Sequence, residues 1–466
     1  MGYHLHDMKL SFPKKFTLGV ADADLQVIGE NAVRKEEKSQ PTMWYHFAQS
    51  SGKCFQNDTP GIGIDRFHRW RQDIDIMKQI GIKHYRTSVS MSRILKQNGE
   101  TNGNAITWYK NYFKALKRAG IHIYATLYHW ELPLFMHEQG GWKNPKTIDL
   151  FVKHAQAVVN NLGEYIDEYF VLNEPWCASM LSYHQGVHAP GEKNLADALL
   201  AAHNLLIAQG VAFRAMKHID KRLNVGTVVN TEPAYAYSTD SKDIEAAKRA
   251  NGYFNLWFWD PIFLGKYPEY MVELYGKAMP KISAADMATI KIGKEMYTFG
   301  TNYYCGDVAQ YNPKKDLQYS PHINPKGQTN DLGWPIFTPP YYPEGLYDML
   351  QQVWYSYKDH GLKRLYITEN GIANYTPWDG KEKIVNDDRR ISYYRVHLQQ
   401  VHKAIRRGIP VAGYFAWTLM DNYEWAEGYR PQSCFGMIHV DRKTLQRVWK
   451  KSAIWYQNVL RTNTLF

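Results

Sequence analysis

Phe170-Val171-Leu172-Asn173-Glu174-Pro175-Trp176 is a short apolar run that ends in two polar side chains and then turns. Tyr366-Ile367-Thr368-Glu369-Asn370-Gly371 has the same form further along the chain. A run of this length bounded by turn residues reads as a buried strand. Its last residues emerge at the carboxyl edge of a sheet, where a polar side chain can reach a ligand. Either glutamate alone reads equally well as a surface residue capping a turn. The pair, one between Asn and Pro and the other between Thr and Asn-Gly, points to two carboxyl groups working together.

The same grammar recurs outward from these two segments. Phe16–Ala21, His84–Ser88, Ile121–Leu127, Glu168–Leu172, Asn224–Val229, Tyr297–Asn302, Arg364–Thr368 and Val411–Ala416 read as eight β-rich runs. The stretches between them carry apolar residues at helical spacing. Phe67, Trp70, Ile74 and Met77 precede Gly81, Tyr109, Phe113 and Leu116 precede Gly120, and Leu346, Leu350, Val353 and Tyr357 precede Gly361. A glycine just past the last periodic residue is a helix stop. Repeated βα units predict an α/β fold, a single (β/α)8 TIM barrel over residues 1–466, with its site at the carboxyl ends of the strands. That placement gathers Arg86, His129, Trp130, Asn173, Glu174, Tyr303, Tyr304, Glu369 and Trp417 at one end of the molecule. A doubly wound open sheet would give no reason for polar residues after nearly every strand.

The chain of 466 residues is 44% hydrophobic and 22% charged, with no linker-like or low-complexity segment, which fits one large globular domain. Its 15 Trp and 34 Tyr suit either a core or a sugar-stacking cleft. The formal net charge is +11, but the basic residues are interleaved with acids, as in Arg34-Lys35-Glu36-Glu37-Lys38. That pattern reads as a solvated face, and without a nucleic-acid motif beside it no nucleic-acid partner is expected. Cys54, Cys177, Cys305 and Cys434 show no Cys-x-x-Cys spacing, so reduced thiols are expected. Asp22 with Asp24 and His4 with His6 lack further partners and read as surface residues, not metal ligands. No secretory h-region and no run of about 18 apolar residues stands out, so a cytoplasmic, membrane-free protein is expected.

On its motifs the chain resembles the glycoside hydrolase family 1 β-glycosidases, from Phe12-Pro13 to about Val448. The two glutamate segments are similar to that family's acid/base and nucleophile motifs. Leu127-Tyr128-His129-Trp130-Glu131-Leu132-Pro133, Gly300-Thr301-Asn302-Tyr303-Tyr304 and Trp417-Thr418-Leu419-Met420-Asp421-Asn422-Tyr423-Glu424-Trp425 follow in family order. The resemblance implies a retaining β-glucosidase, with β-galactosides and β-fucosides as further candidate substrates. Glu174 would be the acid/base and Glu369 the nucleophile, supported by Arg86, Asn302 and Tyr304. Gln26, His129, Trp130, Asn173, Glu424 and Trp425 would bind the sugar, with Trp417 beneath its ring. A cation and a phenol near Glu369 would keep it ionised, while a drier setting beside Trp176 would hold the proton on Glu174. A retaining pair is expected roughly 5–5.5 Å apart. The expected partner is a small β-glycoside or oligosaccharide, and no cofactor or metal is implied, since two carboxyl groups suffice.

Three departures from the family pattern bear on specificity. Gln26 is flanked by Asp22, Asp24 and Ile28, Met91 stands where a Trp is customary, and the loop Arg430-Pro431-Gln432-Ser433-Cys434 is about two residues longer than common. A 6-phospho-β-glucosidase is the alternative within the family, and Glu424 argues against it. A thioglucosidase is disfavoured by the intact Glu174. A non-catalytic sugar-binding barrel is the alternative outside enzymes, disfavoured by the presence of both carboxyl groups.

Overall fold

The structure, a computed structural model, describes residues 9–322, 328–336 and 343–465. His4 and His6 lie outside the described residues. Eight parallel strands close into a barrel in sequence order: β1 (Thr17–Ala21), β2 (His84–Ser88), β3 (His122–Tyr128), β4 (Glu168–Asn173), β5 (Val225–Asn230), β6 (Phe299–Asn302), β7 (Leu365–Asn370) and β8 (Val411–Trp417). Their residues are buried almost throughout, as expected of strands covered by helices outside and packed side chains inside.

Several strands extend past the apolar runs that announce them. β4 takes in Asn173, β7 takes in Glu369 and Asn370, and β8 takes in Trp417. Ladder hydrogen bonds belong to the backbone, so a strand continues through polar residues wherever neighbouring strands still pair with it. Asn173, Glu369 and Trp417 are therefore held by the barrel strands themselves, while His129, Glu174 and Tyr304 stand within two residues of a strand end.

The principal outer helices are α1 (Arg66–Ile80), α2 (Gly103–Arg118), α3 (Lys146–Leu162), α4 (Leu195–Ile219), α5 (Trp257–Phe263), α6 (Glu344–Tyr357), α7 (Asp388–Arg406) and α8 (Lys451–Thr462). Gly81 ends α1 at φ 87°, its N–H bonding to Met77 O, as its position predicts. α4 differs from expectation, because by length and composition it is apolar enough to cross a membrane. Its Ala198, Ala201, Ala202, Leu205, Ala208 and Ala212 are fully buried in the protein, and it packs on α3. A Cβ on its Gly210 would stand 2.1 Å from Thr289 O, so the backbones touch there. Its apolar character answers to protein packing on most of its circumference.

Asp22 and Asp24 are not surface residues. Asp22 is 1% exposed and accepts from Arg66, Tyr85 Oη (2.7 Å) and Thr87 Oγ1 (2.8 Å). Asp24 accepts from Arg93 Nη1 and Tyr109 Oη, both at 2.8 Å. Glu37 is also buried, receiving two bonds from Arg93, whereas Arg34, Lys35, Glu36 and Lys38 beside it are exposed as expected. The buried acids are compensated by arginines 44, 69 and 56 residues away in the chain. Local spacing carries no trace of such partners. Met91 is buried in a short helical turn that follows β2, consistent with a packing role.

Candidate active site

Both glutamates stand where a parallel strand loses its regular register. β4 shifts against β5 between Phe170 and Asn173, and β7 shifts against β6 between Ile367 and Glu369. Such irregularities re-aim the side chains that follow. Glu174 sits at φ 48°, left-handed for a non-glycine residue, with its N–H bonded to Val228 O at 2.9 Å. Trp130 and Trp425 share that conformation at φ 68° and 49°. Backbone strain of this kind, of order 1–3 kcal/mol per residue, persists where surrounding structure enforces it, and here it sits on three residues of one site.

The two carboxyl groups have opposite surroundings. Glu369 Oε1 accepts from Arg86 Nη1 at 2.6 Å and Oε2 from Tyr304 Oη at 2.7 Å. Glu174 Oε1 accepts from Asn302 Nδ2 at 2.8 Å and Oε2 from the Cys177 thiol at 3.3 Å, with no ion pair among the described residues. Burial, then the charge of Glu369, pushes Glu174 up to about 8. Burial leaves Glu369 above the ordinary carboxyl range as well, although Arg86, Tyr304 and Asn302 all pull against it and Glu174 has no such guanidinium bond. At neutral pH one proton therefore resides on Glu174 and the charge on Glu369. Asn302, expected to serve the nucleophile, lowers Glu369 through a side-chain hydrogen bond and in addition donates to Glu174 and to Asn173 Oδ1 (3.0 Å) while accepting from Thr368 Oγ1 (2.6 Å). It ties the ends of β4, β6 and β7 together.

The glutamates open onto a cavity of about 520 Å³. Of the residues singled out in the sequence, His129, Trp130, Glu174, Asn302, Tyr304, Glu369, Trp417, Glu424 and Trp425 line it. Arg86, Asn173 and Gln26 stand behind that wall. Asn173 is fully enclosed, accepting from Arg86 Nη2 at 2.6 Å and approaching His129 Nε2 at 3.2 Å. Gln26 gives its amide to Tyr423 O (2.8 Å), Asn422 Oδ1 (3.3 Å) and Glu424 Oε2 (3.4 Å).

Several buried polar atoms here have no hydrogen-bond partner among the described residues. With Nε2 of His129 accepting from Asn173, its proton sits on Nδ1, which is unpaired, as are Gln26 Oε1 and Trp176 Nε1. Burial and Arg86 keep His129 neutral, well below the ordinary histidine range. Buried polar groups are normally satisfied, so unpaired ones beside a cavity mark the directions of a polar ligand. Trp417 stacks on His129 with ring centroids 5.8 Å apart, and Trp425 lies 4.7 Å from both Trp44 and Trp130. Among the described lining residues there are five carboxyl groups, Glu174, Glu232, Glu369, Glu424 and Glu427, and no Lys or Arg. No cluster of three or more His, Cys, Asp or Glu among the described residues is arranged for a metal.

Some contributors had no local signal. Trp44, whose Nε1 bonds Trp130 O at 3.0 Å, and His188, packed on Trp130, come from segments with no strand-end motif. Phe254 packs on Trp176, and Trp334 on Tyr304, all four lining the cavity.

Comparison with known proteins agrees with this geometry. The pattern described as glycosyl hydrolase family 1 matches residues 8–465. The chain is 37% identical to a β-glucosidase of Agrobacterium sp., over 96% of this chain and 94% of that one. It is 35% identical to β-glucosidase A of Acetivibrio thermocellus, over 98% and 99%. Among solved structures, the family 1 β-glucosidase of Exiguobacterium antarcticum B7 superposes with a TM-score of 0.91 at 34% identity, covering 97% of this chain and 99% of that one. The Thermotoga maritima family 1 glycoside hydrolase in complex with a cyclophellitol analogue transition state mimic gives 0.91 at 33%, covering 98% and 99%. Sharing that barrel and that sequence pattern over nearly its whole length, the chain belongs to glycosyl hydrolase family 1 and is a glycoside hydrolase.

Proposed function

We propose that this protein is a retaining β-glucosidase acting on terminal non-reducing β-D-glucosyl residues of small glycosides. The observation that carries the reading is the unequal treatment of two carboxyl groups facing one cavity: Glu369 is bonded by the Arg86 guanidinium and the Tyr304 phenol, whereas Glu174 is bonded by the neutral donors Asn302 and Cys177. In the first step Glu369 attacks the anomeric carbon while Glu174 passes its proton to the departing oxygen. Water then displaces the sugar from Glu369, giving its proton to the Glu174 carboxylate, and two inversions restore the β configuration. The unpaired atoms of His129 and Gln26 suit neutral hydroxyl groups, and Trp417 and Trp425 offer aromatic faces to a sugar ring.

A phosphorylated sugar fits this wall poorly. Burial and then the charges of Glu369 and Glu427 already hold Glu424 well above the ordinary carboxyl range. A phosphate dianion there would face the same Glu369 and Glu427 charges, and would meet no cation among the described lining residues. Proton NMR of the sugar first released tests the mechanism. The β anomer is expected first, and early α anomer would overturn the reading.

A further inference from the structure

Glu174 has a second hydrogen-bond partner that the proposed mechanism does not use. Cys177 opens the helical segment Cys177–His184 just beyond the Pro175 turn. Its Sγ stands 3.3 Å from Glu174 Oε2, buried in the wall of the cavity. Resting on the reading of Glu174 as proton donor, we infer that Cys177 is a positioning residue for the acid. Its S–H donates to Oε2 once Glu174 is ionised, which fixes that oxygen and makes Glu174 a stronger acid.

The geometry leaves the thiol no other role at this carboxyl group. Asn302 Nδ2 already occupies Oε1, so the two donors engage one oxygen each and set the plane of the group. Burial and the nearby carboxyl groups of Glu174, Glu369 and Glu232 hold the thiol well above its ordinary range, so Cys177 keeps its proton and donates. The other charged or titratable groups facing Glu174 are Glu369 from β7, Arg86 from β2, Tyr304 from just beyond β6 and Glu424 from the segment after β8. Glu369 raises Glu174 and Arg86 lowers it. Changing Cys177 leaves those groups in place, so the thiol's effect can be read separately from theirs.

Removing the donor weakens the acid. Activity falls on the alkaline side as Glu174 loses its proton, so a raised Glu174 moves that limb to higher pH. In profiles of kcat/KM against pH, Cys177→Ala and Cys177→Val are expected to carry the limb up by about half a pH unit, the scale of one weak hydrogen bond. Cys177→Ser, with a better donor, should return it to the wild-type position or below. The valine variant fills the volume without a donor and keeps the test valid if alanine leaves a destabilising cavity. Limbs of the Ala and Val variants that coincide with wild type, whatever their Tm, would overturn the inference. Glu174→Gln, assayed alongside on an activated aryl glucoside, should lose the alkaline limb altogether. A limb surviving in that variant would instead remove Glu174 from the acid role.

Discussion

The ends of β4 and β7 present the same side chain to the same cavity, yet one end is built from neutral donors and the other around a cation. At β7, Arg86 reaches across the barrel from β2 and also bonds Thr368 O (3.2 Å), Thr126 Oγ1 (3.2 Å) and Asn173 Oδ1, so it cannot turn away. At β4 an amide and a thiol make the contacts. The contrast teaches that residue type does not assign acid and nucleophile. Placement of one buried guanidinium does, because charge interactions in a desolvated site outweigh differences of neutral hydrogen bonding.

The most severe way to break the contrast is to neutralise each end. Glu369→Gln should abolish turnover of every glycoside, since no nucleophile remains. Glu174→Gln should cost on the order of 10²–10⁴ with poor leaving groups and far less with dinitrophenolate, which needs little protonation. Kinetics over a leaving-group series decide it, and identical dependence in the two variants would contradict the assignment.

Removing the cation comes next. In Arg86→Met the Glu369 carboxyl rises, so its ionised form appears only at higher pH and the acid limb of kcat/KM moves upward. A loss of about 10²–10³ in kcat is expected, together with roughly 3–5 kcal/mol of stability at neutral pH from the stranded buried partner. In the unmodified enzyme the profile should rise as Glu369 ionises and fall as Glu174 deprotonates through about 8.

A third carboxyl group, Glu424, sharpens the comparison on the specificity side. We expect an aryl β-glucoside to exceed its 6-phosphate by about a hundredfold in kcat/KM. Glu424→Ser should narrow that gap chiefly by damaging glucoside turnover, because the described lining residues supply no cation to reward the phosphate. Equal turnover of both substrates by the unmodified enzyme would overturn this.

The smallest effect belongs to the phenol. Tyr304→Phe removes one donor from Glu369 while Arg86 stays, so about a tenfold loss in kcat and a smaller upward move of the acid limb are expected. A move as large as that of Arg86→Met would show that the phenol, not the guanidinium, holds the nucleophile ionised.

Much of this molecule was written locally. Strand period, helical spacing and glycine stops are properties of neighbouring residues, and they were enough to set out eight βα units and to put Glu174 and Glu369 at the ends of two strands. Tertiary structure alone decided the rest. It buried Asp22, Asp24 and Glu37 by bringing Arg66 and Arg93 to them, folded the apolar α4 against α3, and set Asn302 on the acid as well as near the nucleophile. It also decided which carboxyl group keeps the proton. Burial and Coulomb energy depend on distances in space between residues remote in the chain, such as Arg86 and Glu369, which lie 283 positions apart and 2.6 Å from each other.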